Sequence, residues 1–189
     1  MTAPTPDDTA RTEDRTPRRW RSARSWIATV ALTVAAVVGI RSTIVDAYAI
    51  PSSSMAPTLT PGDRIIVGKS PIDLDGLHRG DVVVFHRPDS LGPDVPGTLV
   101  KRLIALGGDT IEARGGTVLV NGAALAEGYT SGPTTDFGPL VVPKEHVWVM
   151  GDNRPDSLDS RRYGPIPTST IIGTALAVTW PIGHVGPVG

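Results

Sequence analysis

The uncharged run from Trp26 to Ile40 (WIATVALTVAAVVGI) constrains this chain most, because an apolar stretch of that length has to leave water. Arg15, Arg18, Arg19, Arg21 and Arg24 precede it, and Arg41 closes it. As a helix, those residues rise about 22 Å, short of the ~30 Å hydrocarbon core of a bilayer. The gap closes when the Arg41 side chain snorkels and Ser42 to Val45 continue the helix, giving roughly 20 residues with Trp20 and Trp26 near one interface. The basic flank then places the amino end in the cytoplasm, so the expected arrangement is a single-pass anchor over 25–45 in the cell membrane, with residues 46–189 outside. A second reading fits the same residues: a cleavable export leader with Ala47-Tyr48-Ala49 as its cleavage site. A buried core helix is the third.

Residues 1–24 are rich in Thr, Pro, Arg and Asp and lack any apolar period, which predicts a disordered tail. Beyond residue 50 the chain breaks into short β-branched runs separated by Gly, Pro and Asp: Arg64 to Val67, Asp81 to Phe85, Thr98 to Leu106, Thr117 to Val120, His146 to Met150 and Ile171 to Thr179. Two turn signals, Gly115-Gly116 and Asn121-Gly122, flank one of these runs and predict a small hairpin. The expected fold class is therefore mostly β, built from antiparallel strands, with no amphipathic helix and no internal repeat. The last apolar run is too short to span a bilayer and ends at Pro181.

Composition narrows the chemistry. A formal net charge of −1 and 5% aromatic residues disfavour nucleic acid as a partner. The absence of Cys removes thiol nucleophiles and Cys-ligated zinc, leaving Ser, Thr, His, Lys and the carboxylates. Only Lys69, Lys101 and Lys144 are candidates for a functional lysine.

Three tracts carry possible chemistry. In Ile50-Pro51-Ser52-Ser53-Ser54-Met55-Ala56-Pro57-Thr58-Leu59, prolines fix the backbone on both sides of three serines. Such a turn can hold one hydroxyl for attack while a neighbour faces a developing oxyanion; it also reads as a plain Ser/Pro linker. In Thr98 to Asp109, Lys101 and Arg102 interrupt an apolar strand, so one faces inward or the strand lies at a sheet edge. An inward lysine loses solvation, its pKa falls, and it becomes able to act as a general base. The third tract, Met150 to Arg161, is a dense loop of carboxylates and guanidiniums around Ser157. Its oxygens invite a calcium reading, which the nearby arginines and the absence of a terminal Glu weaken.

In order and spacing the three tracts resemble the type I signal peptidases, membrane-anchored Ser/Lys proteases that remove signal peptides from exported proteins. The residues that carry the resemblance are PSSSMAPTL at 51–59, GDVVVF at 80–85, KRLIALGGD at 101–109 and GDNRPDSLDSR at 151–161, after the apolar run. Ser53 stands where many members have Gly, and Pro155-Asp156 also depart from the commoner pattern. The resemblance implies that Ser54 is the nucleophile and Lys101 its general base. Ser157 would orient the lysine, and Ser52 would join the Ser54 amide in the oxyanion hole. It further implies that Arg102, Asp152, Asp159 and Arg161 support the site. Ile50, Met55, Leu59, Val84, Leu99 and Val100 would line shallow pockets for small side chains. A β-rich catalytic core with a small variable insertion, about 111–145, is the implied fold.

That chemistry is self-consistent. A neutral lysine can deprotonate a hydroxyl without a His/Asp relay and requires neither metal nor organic cofactor. His78, His86, His146 and His184 all lie outside the three tracts. The expected partners are signal peptides and the lipid bilayer. Two alternatives remain: a related Ser/Lys processing peptidase with a dedicated substrate, and a non-catalytic exported β-rich envelope domain. Self-processing at Ala49 is a minor possibility within the first reading.

Overall fold

The computed structural model describes residues 26–34, 45–69 and 76–188. The chain separates into two units, Met1–Arg41 and Ser42–Gly189. In the first, residues 26–34 form a helix on which Trp26, Ile27, Val30, Leu32 and Val34 are exposed. Among the described residues no helix is long and apolar enough to cross a membrane. The expected tail and most of the expected anchor, residues 1–25 and 35–44, lie outside the described residues. Val45, read from the sequence as the end of the anchor, is the first residue of a strand and pairs with Gly68.

The second unit contains β1 (Val45–Ala49), β2 (Arg64–Gly68), β3 (Val82–His86), β4 (Thr98–Leu106), β5 (Thr110–Arg114), β6 (Thr117–Val120), β7 (Ala123–Ala124), β8 (Phe137–Val141), β9 (His146–Met150), β10 (Ile166–Pro167), β11 (Ile171–Trp180) and β12 (Gly186–Pro187). An antiparallel sheet runs β1-β2-β11-β3-β4-β9-β10, with β12 also on β11. A smaller sheet runs β7-β6-β5-β8.

The unbroken apolar run of β3 reflects burial on both faces. Val82 and Val84 pack with Ile50, Met55, Leu59 and Ile65. Val83 and Phe85 pack with Leu103, Val147, Val149 and Ile166. Close approach of β2 and β11 depends on Gly173, where a Cβ would lie 2.0 Å from the Gly68 carbonyl oxygen. Ala47-Tyr48-Ala49, the tripeptide that reads as a cleavage site, is paired along its length with Ile66, Ile65 and Arg64, so cutting it requires β1 to leave the sheet.

The smaller sheet turns at the two predicted positions. Gly115-Gly116 (φ 56° and 81°) and Asn121-Gly122 (φ 53° and 79°) carry the paired positive φ values of tight two-residue hairpin turns. Its inner face, Ile111, Ala113, Val118 and Val120, packs on Ile104, Ala105, Trp148 and Met150 of the larger sheet. The Phe137 ring stacks on Trp148 at 5.4 Å. This packing carries the 125–136 connection over the loop that follows β9.

Candidate active site

Lys101 is not at an edge. β4 lies between β3 and β9, and Lys101 is 4% exposed, which excludes the edge-strand reading. Its Nζ reaches the Ser54 Oγ at 2.6 Å and donates to the Val100 carbonyl at 3.0 Å. Burial pushes the ammonium down from 10.5 to about 8, against the upward pull of Asp159 and Asp152. At neutral pH about a tenth of the side chain is therefore an amine whose lone pair can accept the Ser54 proton.

The turn that presents Ser54 is held from beneath and from the side. Met55 and Leu59 are buried in the core with Ile50, and the Leu59 amide donates to the Met55 carbonyl. From the neighbouring loop, the Asn153 amide donates to the Ser54 carbonyl at 3.1 Å. The Ser52 Oγ lies 3.3 Å from the Ser54 Oγ. Ser53 donates to Asp156 Oδ2 at 2.7 Å, joining the nucleophile turn to the residue before Ser157.

The Ser157 Oγ is buried beside Gly151. It makes no hydrogen bond, so the contact with Lys101 expected from the sequence is not formed here, though its proximity helps to lower the Asp159 carboxyl. Burial alone would raise the Asp159 carboxyl. Bonds from the Arg161 guanidinium (2.8 Å to each oxygen) and from the Gly151 amide (3.0 Å) hold it below the usual carboxylate range. Arg102 and Asp152 form a second fork: Nε to Oδ1 at 2.9 Å and a terminal nitrogen to Oδ2 at 2.7 Å, with Thr58 Oγ1 donating to the same Oδ2 at 2.6 Å. The sequence-predicted support residues thus form two bidentate pairs, one at each end of the 151–161 loop, Arg102–Asp152 buried and Asp159–Arg161 part-buried at Arg161.

Asp152 is fully buried and Arg102 is 2% exposed. Asp152→Ala therefore strands a desolvated guanidinium and is expected to cost about 3–5 kcal/mol, read as a lower urea midpoint. A change under about 1 kcal/mol would mean that water reaches Arg102 freely.

A groove of about 770 Å³ opens over Ser54 and Lys101. Ile50, Met55, Leu99 and Val100 line it with Ser52, Ser157 and Val95. Leu59 and Val84, expected in its wall, are instead fully buried in the core beneath it. Their side chains fill the space between β3 and the nucleophile turn, so they shape the groove floor without reaching its surface. Asp94, Val95 and Pro96 also line the groove. The loop bearing them is held by Arg87, which donates to the Gly92 and Val95 carbonyls at 2.6 and 2.8 Å. Among the described residues no group of three metal-ligating side chains is found.

The family model described as signal peptidase, peptidase S26, matches residues 23–180, most of the chain and every element of this site. The chain belongs to the signal peptidase S26 family. It is 41% identical over 167 residues to the signal peptidase I of Leptolyngbya laminosa, covering 86% of this chain and 82% of that protein. With the signal peptidase I of Bacillus amyloliquefaciens it shares 36% over 168 residues, covering 82% and 84%. With that of Mycobacterium tuberculosis it shares 31% over 234 residues, covering 95% and 80%. A signal peptidase I structure from Enterococcus faecalis overlays 52% of this chain and 95% of its own at a TM-score of 0.44 and 32% identity.

Sequence reasoning missed part of this signal peptidase site. Thr58 sits inside a quoted motif, and Arg154 stands between Asp152 and Ser157, so both had a positional signal. Glu127 and Tyr129 had none, because only the packing of the two sheets brings them to the loop.

Proposed function

We propose that this signal peptidase family member is a membrane-bound serine endopeptidase that removes amino-terminal signal peptides from exported preproteins, cutting after small residues with Ser54 and Lys101. The observation that carries this reading is the 2.6 Å contact between Lys101 Nζ and Ser54 Oγ, both buried at the floor of an open groove. The neutral Lys101 amine takes the Ser54 proton as Oγ attacks the scissile carbonyl. The resulting oxyanion is met by the Ser54 amide and the Ser52 hydroxyl. Lys101 then returns its proton to the departing amine, leaving an acyl-enzyme that a water, deprotonated by the same lysine, hydrolyses. Ser157, which is not bonded to Lys101 in the free site, is assigned to orienting the amine once substrate fills the groove, and Asp159 with Arg161 fixes the loop that carries Ser157. Ile50, Leu99 and Val100 leave shallow apolar space that suits alanine-sized side chains.

In this reading residues 1–24 are a cytoplasmic tail, 25–45 a membrane anchor and 46–189 the extracytoplasmic peptidase domain, with about 111–145 as its small insertion. The exposed apolar side chains of the 26–34 helix support an anchor, since they need a non-aqueous surrounding.

The test is cleavage of a peptide bearing an Ala-X-Ala site by detergent-solubilised protein, with chelator present and Ser54→Ala and Lys101→Ala in parallel. The expected result is a cut after the second alanine by the parent and none by either folded variant. Parent-like turnover in either variant would sink the dyad. A parent inactive in detergent and in lipid would favour a non-catalytic envelope domain.

A further inference from the structure

The connection between β7 and β8 reaches back over the catalytic loop, and no step of the proposed chemistry uses it. The Ser131 amide donates to the Asp152 carbonyl at 2.8 Å, and the Arg154 amide donates to the Ser131 carbonyl at 3.1 Å, so the two segments form a short parallel bridge. Glu127 receives both terminal nitrogens of Arg154, at 2.5 and 3.0 Å. Arg154 is 2% exposed, and its Nε holds the Gly151 carbonyl at 3.0 Å. Two residues beyond Glu127, the Tyr129 ring lies 4.0 Å from the guanidinium carbon of Arg102.

Each contact leads to a catalytic group by one further step. Arg102 follows Lys101 in β4 and, through Asp152 and Thr58, grips the turn bearing Ser54. Gly151 begins the loop bearing Ser157. Tyr129 is partly exposed while Arg102 and Asp152 are buried, so the ring is what separates that pair from solvent on its side. Burial pushes the Tyr129 hydroxyl up to about 12, so the ring stays neutral over the cation.

We infer that Glu127 and Tyr129 are positioning residues of the signal peptidase site, the ring sealing Arg102–Asp152 and the carboxylate clamping Arg154, so that the 127–134 segment is part of the catalytic scaffold. The inference rests on the dyad reading of Ser54 and Lys101. A flexible, replaceable insertion would leave Arg154 without its partner and the Arg102 fork open to water, and water weakens a fork whose strength depends on exclusion.

The test compares Tyr129→Leu, Tyr129→Phe and Glu127→Gln in the full chain with the parent on the Ala-X-Ala peptide, with rates normalised to folded protein. Tyr129→Leu and Glu127→Gln are each expected to lower kcat about tenfold with KM unchanged within twofold, and Tyr129→Phe, which keeps the ring, to stay within twofold of the parent. A folded Tyr129→Leu or Glu127→Gln with parent kcat overturns the inference for that residue, as does a loss confined to KM. If one variant does not fold, the other decides. A second readout needs no substrate: with three lysines in the chain, the ¹³C-labelled Lys101 signal is resolvable. Its titration in Tyr129→Leu is expected to move down, because water entering the Arg102–Asp152 fork screens the upward pull of Asp152 on the ammonium. An unmoved midpoint with unchanged kcat rejects the inference. A parent inactive on peptide whose Lys101 still responds rejects the peptidase reading alone.

Discussion

Lys101→Met is expected to give a chain more stable than its parent near neutral pH and without measurable turnover. The lysine is almost wholly buried, and its ionised form is disfavoured enough to bring the pKa from 10.5 to about 8, a difference of about 3 kcal/mol. Its folded-state pKa lies below the unfolded value. Under pH 8 both states carry the proton, and the cost of the buried charge is fully present. Between 8 and 10.5 the unfolded chain holds more protons, so parent stability rises with pH across that window and levels off above it. Methionine fills a similar volume without a charge and forfeits the bonds to Ser54 and Val100, so the net gain at pH 6.5 is about 1–2 kcal/mol, vanishes at about pH 9 and is reversed by about pH 10. Urea midpoints at the lowest and highest of these pH values check this, and a variant less stable at pH 6.5 contradicts it. Losing the proton transfer costs about 10²- to 10⁴-fold, and Ser54 without an activating base is too weak a nucleophile for turnover to be measured. In the parent, kcat/KM should rise about tenfold per pH unit below about 8, since only the amine accepts the Ser54 proton. A parent profile flat from pH 6 to 9 would take the role of base from Lys101.

The same lysine shows what sequence could and could not disclose. Charge inside an apolar strand raised two alternatives, inward or edge, and local pattern could not choose between them because strand order is a property of the whole sheet. The β-branched runs of β2, β3, β4, β9 and β11 were legible for the opposite reason: each is long enough to show its period or its unbroken burial. β1 was not, since Val45 to Ala49 is short, is interrupted by Asp46, directly follows the segment read as an anchor and takes its strand character from β2. β8 contains Pro139, which reads as a loop but is tolerated at a sheet edge, where a missing amide breaks no ladder. Within the site, residues inside one tract could be ordered by spacing. The contacts of Tyr129 with Arg102 and of Ser53 with Asp156 join distant tracts, and no periodicity encodes them. Leu59 and Val84 mark a related limit: an apolar residue beside a site has the same composition whether it lines the groove or supports it from below.

Gly151→Ala is expected to lower kcat about 10²-fold while leaving a folded protein. A Cβ at this position would lie 2.4 Å from the Ser54 carbonyl oxygen, 2.2 Å from the Ser157 Oγ and 2.6 Å from the Ser157 Cβ. The Ser157 hydroxyl can rotate, but the Ser54 carbonyl belongs to the backbone of the nucleophile and is already bonded to the Asn153 amide. Either the nucleophile turn or the 151–157 loop must shift by about an ångström, and a misplacement of that size costs about 10² in rate. Gly151 cannot retreat easily, because its amide is held by Asp159 and its carbonyl by Arg154. Overpacking of this kind costs about 1–3 kcal/mol, which thermal unfolding would record as a modest drop. In a Ser157→Gly background, which already lacks the hydroxyl assigned to orienting Lys101, Gly151→Ala keeps only the close contact to Ser54, so the double variant should fall well below Ser157→Gly alone. Equal rates for the two would mean that the conflict lies with the Ser157 side chain alone and that the Ser54 turn yields at little cost. A further loss with retained fold would place the requirement for glycine where the distances put it, at the point where the loop after β9 touches the peptide of the nucleophile.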